Sequence, residues 1–143
     1  MSKATLHIAW TADDGPTSFT SDMLSVFNKT LNKPIPVTWY VQWDNLVINK
    51  RHGFYKNLQD KHKHEIAIHG VSTIANHIHW FPTNNKKHAS YASIEEATTA
   101  ISSFKNHLIE HGMRAKFVRA PTGLHSELMA YLSKLGVANN RAD

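Results

Sequence analysis

The sequence predicts an α/β fold on parallel strands, because short apolar β-type runs alternate with helix-type segments four times. Repeated strand-then-helix order is satisfied by parallel strands joined through right-handed crossovers. A second observation concerns where the chemistry falls: the distinctive polar residues gather at the C-terminal ends of those runs. The third is length. The 143 residues make one domain, 1–143, whereas a closed eight-stranded (β/α) barrel needs about 200 residues at the least. Four units average about 36 residues each over 143, so eight would need nearly twice the chain. No internal repeat is visible.

The first strand is placed at Thr5–Trp10, followed by a helix over Ser21–Leu31 with Met23, Leu24, Phe27 and Leu31 on one face. Pro36–Val41 is the second strand, followed by a weaker, more polar helix at Gly53–Lys63. Glu65–His69 is the third. Its helix, Ser93–His111, opens with the capping box Ser93-Ile-Glu-Glu96 and stops at Gly112. Lys116–Arg119 is the fourth, followed by Ser126–Leu135 with Leu128, Leu132 and Leu135 on one face. The one long irregular stretch is Gly70–Ala92, a length that in a compact domain usually signals function or mobility.

Composition narrows the chemistry. With no cysteine there is no disulfide framework, thiolate metal site or cysteine nucleophile, so any metal must be held by histidine and carboxylate. Eleven histidines are the anomaly, although most read as scattered surface residues. The net charge of +5 supports only weak steering of anions. Lys and Arg are dispersed apart from Lys61-His62-Lys63-His64 and Lys86-Lys87-His88, which read as solvated faces and speak against a nucleic-acid partner. No apolar stretch is long enough to span a bilayer. The first residues lack the apolar core of a signal peptide, so the chain as written is expected in the cytoplasm unless a leader has been removed.

Asp13-Asp14-Gly15-Pro16, Trp43-Asp44, His69-Gly70 and Arg119-Ala-Pro121-Thr-Gly123 follow the four strands, where parallel α/β folds gather ligands and catalytic groups on one face. Two adjacent carboxylates repel and call for a cation beside them, and Gly-Pro forces a turn that fixes where they point. Taken alone, the tetrapeptide also fits a solvated turn. His69, alone, also fits a satisfied core histidine; beside the Asp14 strand end it makes, with a carboxylate oxygen, a donor set suited to Zn²⁺. Arg119 at the end of an apolar strand needs a carboxylate partner if buried, and Asp13 across the face is a candidate; taken alone, Arg119 also fits a surface residue at a frayed strand end.

These motifs resemble those of the polysaccharide deacetylases of carbohydrate esterase family four, the NodB-homology fold. Thr11-Ala-Asp13-Asp14-Gly15-Pro16 is similar to that family's first motif, T-F-D-D-G-P, and Arg119-Ala-Pro121-Thr-Gly123 to its third, R-P-P-Y-G. Their order and separation agree over essentially the whole chain. The resemblance implies an incomplete or distorted (β/α) barrel. It also implies that Asp13 is the general base, Asp14 and His69 are ligands of a divalent metal, most naturally Zn²⁺, and Arg119 orients Asp13. The backbone N–H of Thr122 would help hold the oxyanion. Independently of the resemblance, Trp43, Trp80 and Phe81 near the strand ends fit either stacking on a sugar ring or filling the core.

The family's second motif, H-x-x-x-H, is interrupted here, since Thr73 stands four residues after His69. The third ligand then falls to His77, nearer to His69, with His79 as the alternative; an extended segment points the two opposite ways. The fourth and fifth motifs, the latter carrying a histidine general acid, have no counterpart within 143 residues, and His125 has no family equivalent. Either the chain is a fragment or it is a shortened relative; if 143 residues is the natural length, a homodimer is expected to cover its open strand edges. The implied activity is metal-dependent removal of N-acetyl groups from a chitin- or peptidoglycan-like amino-sugar polymer or oligomer. The competing expectations are a metal-dependent hydrolase of a non-sugar amide and a catalytically inactive carbohydrate-binding relative.

Overall fold

The computed structural model describes residues 7–15, 17–31, 34–70, 93–119 and 138–139. Five strands form one sheet: β1 (Trp10–Gly15), β2 (Val37–Gln42), β3 (Glu65–Gly70), β4 (Ala115–Val118) and β5 (Ala138–Asn139). All neighbouring pairs are parallel, in the order β1-β2-β3-β4-β5. Sequential order without reversal is the order of a barrel, and a doubly wound sheet would show a switch. Among the described residues four helices lie between β1 and β4: α1 (Thr20–Thr30), α2 (Trp43–Ile48), α3 (His52–His62) and α4 (Ile94–Glu110). The α/β class and the barrel-type order follow the sequence expectation.

Alternation along the strands divides the sheet into two faces. Val37, Trp39 and Val41 of β2 and Ile66 and Ile68 of β3 face the helices and join the core. Helix α4 supplies Ala97, Ile101, Phe104 and Leu108 to it, all at most 1% exposed, on one face at helical spacing. Tyr40 and Gln42 of β2, and Ala67 and His69 of β3, alternate onto the opposite face and are buried as well. Strands buried on both faces are the mark of a parallel sheet. The Ser93 hydroxyl caps α4 by accepting the Glu96 N–H at 3.1 Å, and Gly112 lies just beyond the helix at φ +72°, both as its sequence predicts.

Three boundaries differ from expectation. The first strand is Trp10–Gly15, with Asp13, Asp14 and Gly15 inside it. Within the expected Thr5–Trp10 strand, the described residues His7–Trp10 are exposed, Ile8 by 68%, where the composition indicated a buried segment. Strand β1 stands at the sheet edge, and its pairing with Val37, Thr38 and Trp39 begins only at Trp10. The second connection holds two helices, because Trp43–Ile48 coils directly out of β2; six residues are too few to show a helical period. Strand β5 is only two residues long, too short for a hydrophobic pattern. The helix expected at Ser126–Leu135 and the irregular segment after Gly70 lie outside the described residues.

One buried histidine ties the β2 and β3 strand starts together. His64 Nδ1 accepts from the Val37 N–H at 3.1 Å and from the Trp39 indole N–H at 3.0 Å, which only a ring unprotonated at Nδ1 can do. Burial, then the charge of His62, lowers its pKa below the ordinary 6.5. His52 and His107 are lowered too, first by burial and then by neighbouring histidines. A lowered folded-state pKa gives stability that is present above the unfolded value and lost as pH falls through the folded one. The melting temperature is therefore expected to fall between pH 7.5 and pH 5.5, and to fall less in His64→Gln. Equal falls in the two proteins, measured by thermal unfolding, would contradict this role for His64.

Candidate active site

Adjacent residues of a regular strand point to opposite faces, yet Asp13 and Asp14 reach the same cluster. The backbone makes this possible. The β1–β2 register breaks between Ala12 and Gly15, and Asp14 adopts φ +63°, a left-handed conformation that Asp tolerates better than most residues. The turned peptide is held from α2, where the Asn45 side-chain amide donates to the Asp14 carbonyl at 2.7 Å. Gly15 is required next, because a Cβ there would come within 2.8 Å of the hydroxyl of Tyr55, a fully buried side chain.

From this turn Asp13 faces β4. Its Oδ1 accepts from Arg119 Nη1 at 2.7 Å, and the same nitrogen lies 3.3 Å from the Thr11 hydroxyl. The guanidinium carbon of Arg119 sits 3.8 Å from the centre of the Tyr40 ring, a cation–π arrangement that fixes its plane. Arg119 is buried, and among the described residues its Nε has no hydrogen-bond partner. Its backbone is fixed as well, with its N–H donating to the Ile68 carbonyl at 2.9 Å.

Asp14 faces β3. Its Oδ1 accepts from the Gln42 amide at 2.7 Å and lies 3.4 Å from His69 Nε2. His69 is buried, and its Nδ1 donates to the Arg119 carbonyl at 2.8 Å; a carbonyl can only accept, so the proton sits on Nδ1. In the neutral ring Nε2 then turns a lone pair toward the Asp14 carboxylate. Two acceptors at this separation fit a shared cation. A tetrahedral ion with bonds of about 2.0–2.1 Å sets two ligand atoms about 3.3–3.4 Å apart, close to the spacing found. The second-sphere hydrogen bonds on both residues are of the kind that orient metal ligands.

The structure thus brings together Asp13, Asp14, His69 and Arg119. His77, His79, Trp80, Phe81, Thr122 and His125 lie outside the described residues. Trp43, grouped with the sugar-stacking aromatics, instead packs on Phe104 and His107, with ring centres 5.1 and 4.6 Å away; it begins α2 and turns toward α4. Three supporting residues were not singled out from sequence: Tyr40, Gln42 and Asn45. The signal for the first two was available, because Tyr40 and Gln42 share a strand face, and a buried glutamine ending an apolar run needs a partner. Asn45 required knowledge of α2.

With this geometry in view, the comparisons with known proteins decide the family. The family model described as polysaccharide deacetylase matches residues 2–139. The chain belongs to the polysaccharide deacetylase family. Among solved structures, this deacetylase-family chain is similar to the peptidoglycan deacetylase PdaC from Bacillus subtilis, at TM-score 0.62 and 19% identity, covering 94% of this chain and 57% of that one. It is also similar to the Bc1960 peptidoglycan N-acetylglucosamine deacetylase, at TM-score 0.64 and 22% identity, covering 92% and 54%. The Xyl-CE4 domain of a multidomain xylanase from the hindgut metagenome of Trinervitermes trinervoides follows at 0.61 and 21%, covering 86% and 52%. The chain therefore spans little more than half the length of these structures. No curated protein matches it. Among the described residues no helix is long and apolar enough to cross a membrane.

The turn that presents both aspartates makes Gly15 a sensitive position. Gly15→Ala is expected to destabilise the fold by about 1–3 kcal/mol, as overpacking of a filled core does. Tyr55→Phe in the same chain, by removing the hydroxyl, is expected to restore much of the loss. Urea unfolding of the single and double variants measures both, and a Gly15→Ala protein as stable as the parent would contradict the close approach.

Proposed function

We propose that this chain acts as a metal-dependent deacetylase that removes N-acetyl groups from an amino-sugar polymer or oligomer of the chitin or peptidoglycan kind. The observation supporting this most strongly is the pairing of two separate carboxylate assignments: Asp13 with Arg119, and Asp14 with His69. One aspartate is thereby held for proton transfer and the other for a cation.

In this reading Asp14 and His69 hold a divalent ion, zinc by its fit to imidazole and carboxylate donors, with His77 or His79 as the third protein ligand. The ion supplies positive charge beside the acetamide carbonyl and the attacking water. The chain's own residues do the rest. Arg119 occupies Oδ1 of Asp13, and among the described residues no group bonds Oδ2, which is available to take a proton from the water. Attack of that water on the acetyl carbon, with the proton taken up by Asp13 passing on to the leaving nitrogen, then breaks the C–N bond to give acetic acid, which ionises to acetate, and the amine. Tyr40 and Thr11 keep the guanidinium in place, so that the carboxylate is presented in one orientation, as general-base catalysis requires. The Thr122 N–H is assigned to the oxyanion, and Trp80 to the sugar ring.

Acetate release from N-acetylglucosamine oligomers tests the proposal. Asp13→Asn is expected to lower the rate by about 10²–10⁴-fold, the usual contribution of a general base, while the protein remains folded by circular dichroism. A chelator is expected to stop the reaction and added Zn²⁺ to restore it. Activity that survives Asp13→Asn, or that is indifferent to metal removal, would contradict the reading. Turnover of simple amides but not of the sugar oligomers would move the assignment to a non-sugar substrate.

A further inference from the structure

The carboxylate–imidazole pair accounts for one of the eleven histidines. Three others converge elsewhere. His52 is the first residue of α3, while His107 lies in the last turn of α4 and His111 caps its end. Residues four apart on a helix share one face, so His107 and His111 present both rings toward the start of α3. One nitrogen from each of the three rings lies within 4.8 Å of the other two.

The details are those of a ligand set. His52 Nε2 and His107 Nε2 are 2.8 Å apart, and the His111 ring centre lies 4.1 Å from that of His52 and 4.3 Å from that of His107. His111 Nδ1 donates to the His107 carbonyl at 2.9 Å, which places its proton on Nδ1 and leaves Nε2 as the donor atom, the usual device for fixing a ligating tautomer. Trp43 packs on the His107 ring at 4.6 Å, with Phe104 behind Trp43 at 5.1 Å, so the ring is held by aromatic packing. A single N–H···N bond satisfies His52 and His107 but gives the third ring no part. A metal ion uses all three.

We propose that His52, His107 and His111 form a second metal site, which binds a zinc-like divalent ion and clips the start of α3 to the end of α4. Three imidazoles and no carboxylate select zinc, copper or nickel over magnesium or calcium. Ligation at about 2.0–2.1 Å sets donor nitrogens about 3.3–3.4 Å apart, so metal binding requires the His52–His107 pair, at 2.8 Å, to open and the stacked His52 and His111 rings to turn. The exposed side of His111 leaves a fourth position for water. Because the ligands come from residues 55 apart in sequence, the ion binds the folded chain in preference to the unfolded one and stabilises it in proportion to metal concentration. The site shares no residue with the Asp14–His69 pair and does not depend on the deacetylase reading.

Equilibrium dialysis of the whole chain against Zn²⁺, with bound metal measured afterward, tests the proposal. His69→Gln is expected to retain one zinc ion. Adding either His52→Gln or His111→Gln to it is expected to remove that ion or weaken it at least tenfold. His111 is exposed at a helix end, so its replacement leaves the core intact even if changes at His107 do not. Zinc is also expected to raise the melting temperature of His69→Gln but not of the His69→Gln, His111→Gln double variant. If His69→Gln binds no zinc, or both double variants keep its ion at unchanged affinity, the proposal is overturned. If His111→Gln alone removes the only ion the parent chain binds, the clip stands and the metal assigned to Asp14 and His69 falls.

Discussion

A single backbone turn decides the chemistry of this sheet. Strand geometry separates neighbouring side chains, yet here two neighbouring carboxylates reach one cluster. The left-handed Asp14 and the break in β1 pairing resolve the conflict, sending Asp13 to Arg119 and Asp14 to His69. Backbone strain of this type costs of order 1–3 kcal/mol and persists only where the surroundings over-determine it. Here the surroundings are the Asn45 amide on the Asp14 carbonyl, the Gln42 amide on its carboxylate, and the Tyr55 hydroxyl closing over Gly15.

The two halves of the site are coupled through Arg119. Its side chain holds Asp13 while its carbonyl receives the His69 Nδ1–H, and its N–H extends the β3–β4 pairing at Ile68. The arginine therefore fixes the Asp13 carboxylate with one end and the tautomer of His69 with the other. Stacking on Tyr40, itself buried, restricts the remaining freedom of the guanidinium. A lysine at this position has neither the planar fork nor the same stacking.

The parts of this architecture written in local pattern were legible in the sequence. Strands β2 to β4 were placed to within a residue or so, and the α4 cap and its closing glycine were read from residue type alone. Asp13, Asp14, His69 and Arg119 were legible because strand ends converge in a parallel sheet, whatever their separation along the chain. The misplaced first strand shows the weakness of the same logic. Thr5–Trp10 has the composition of a buried strand, but burial is decided by neighbours, and at the sheet edge Ile8 stays exposed. Gln42 and Asn45 were missed because their partners are created by the turn at Asp14. The trio of His52, His107 and His111 was missed because its members meet only when α3 packs near α4.

The central claim is that Asp14 and His69 grip one divalent ion beneath Asp13. Anomalous scattering from a crystal grown with zinc tests it directly. The account predicts a peak about 2.0–2.1 Å from both Asp14 Oδ1 and His69 Nε2, with the Arg119–Asp13 contact retained. A crystal with zinc bound elsewhere, and these two atoms bridged only by water or by a proton, would contradict it.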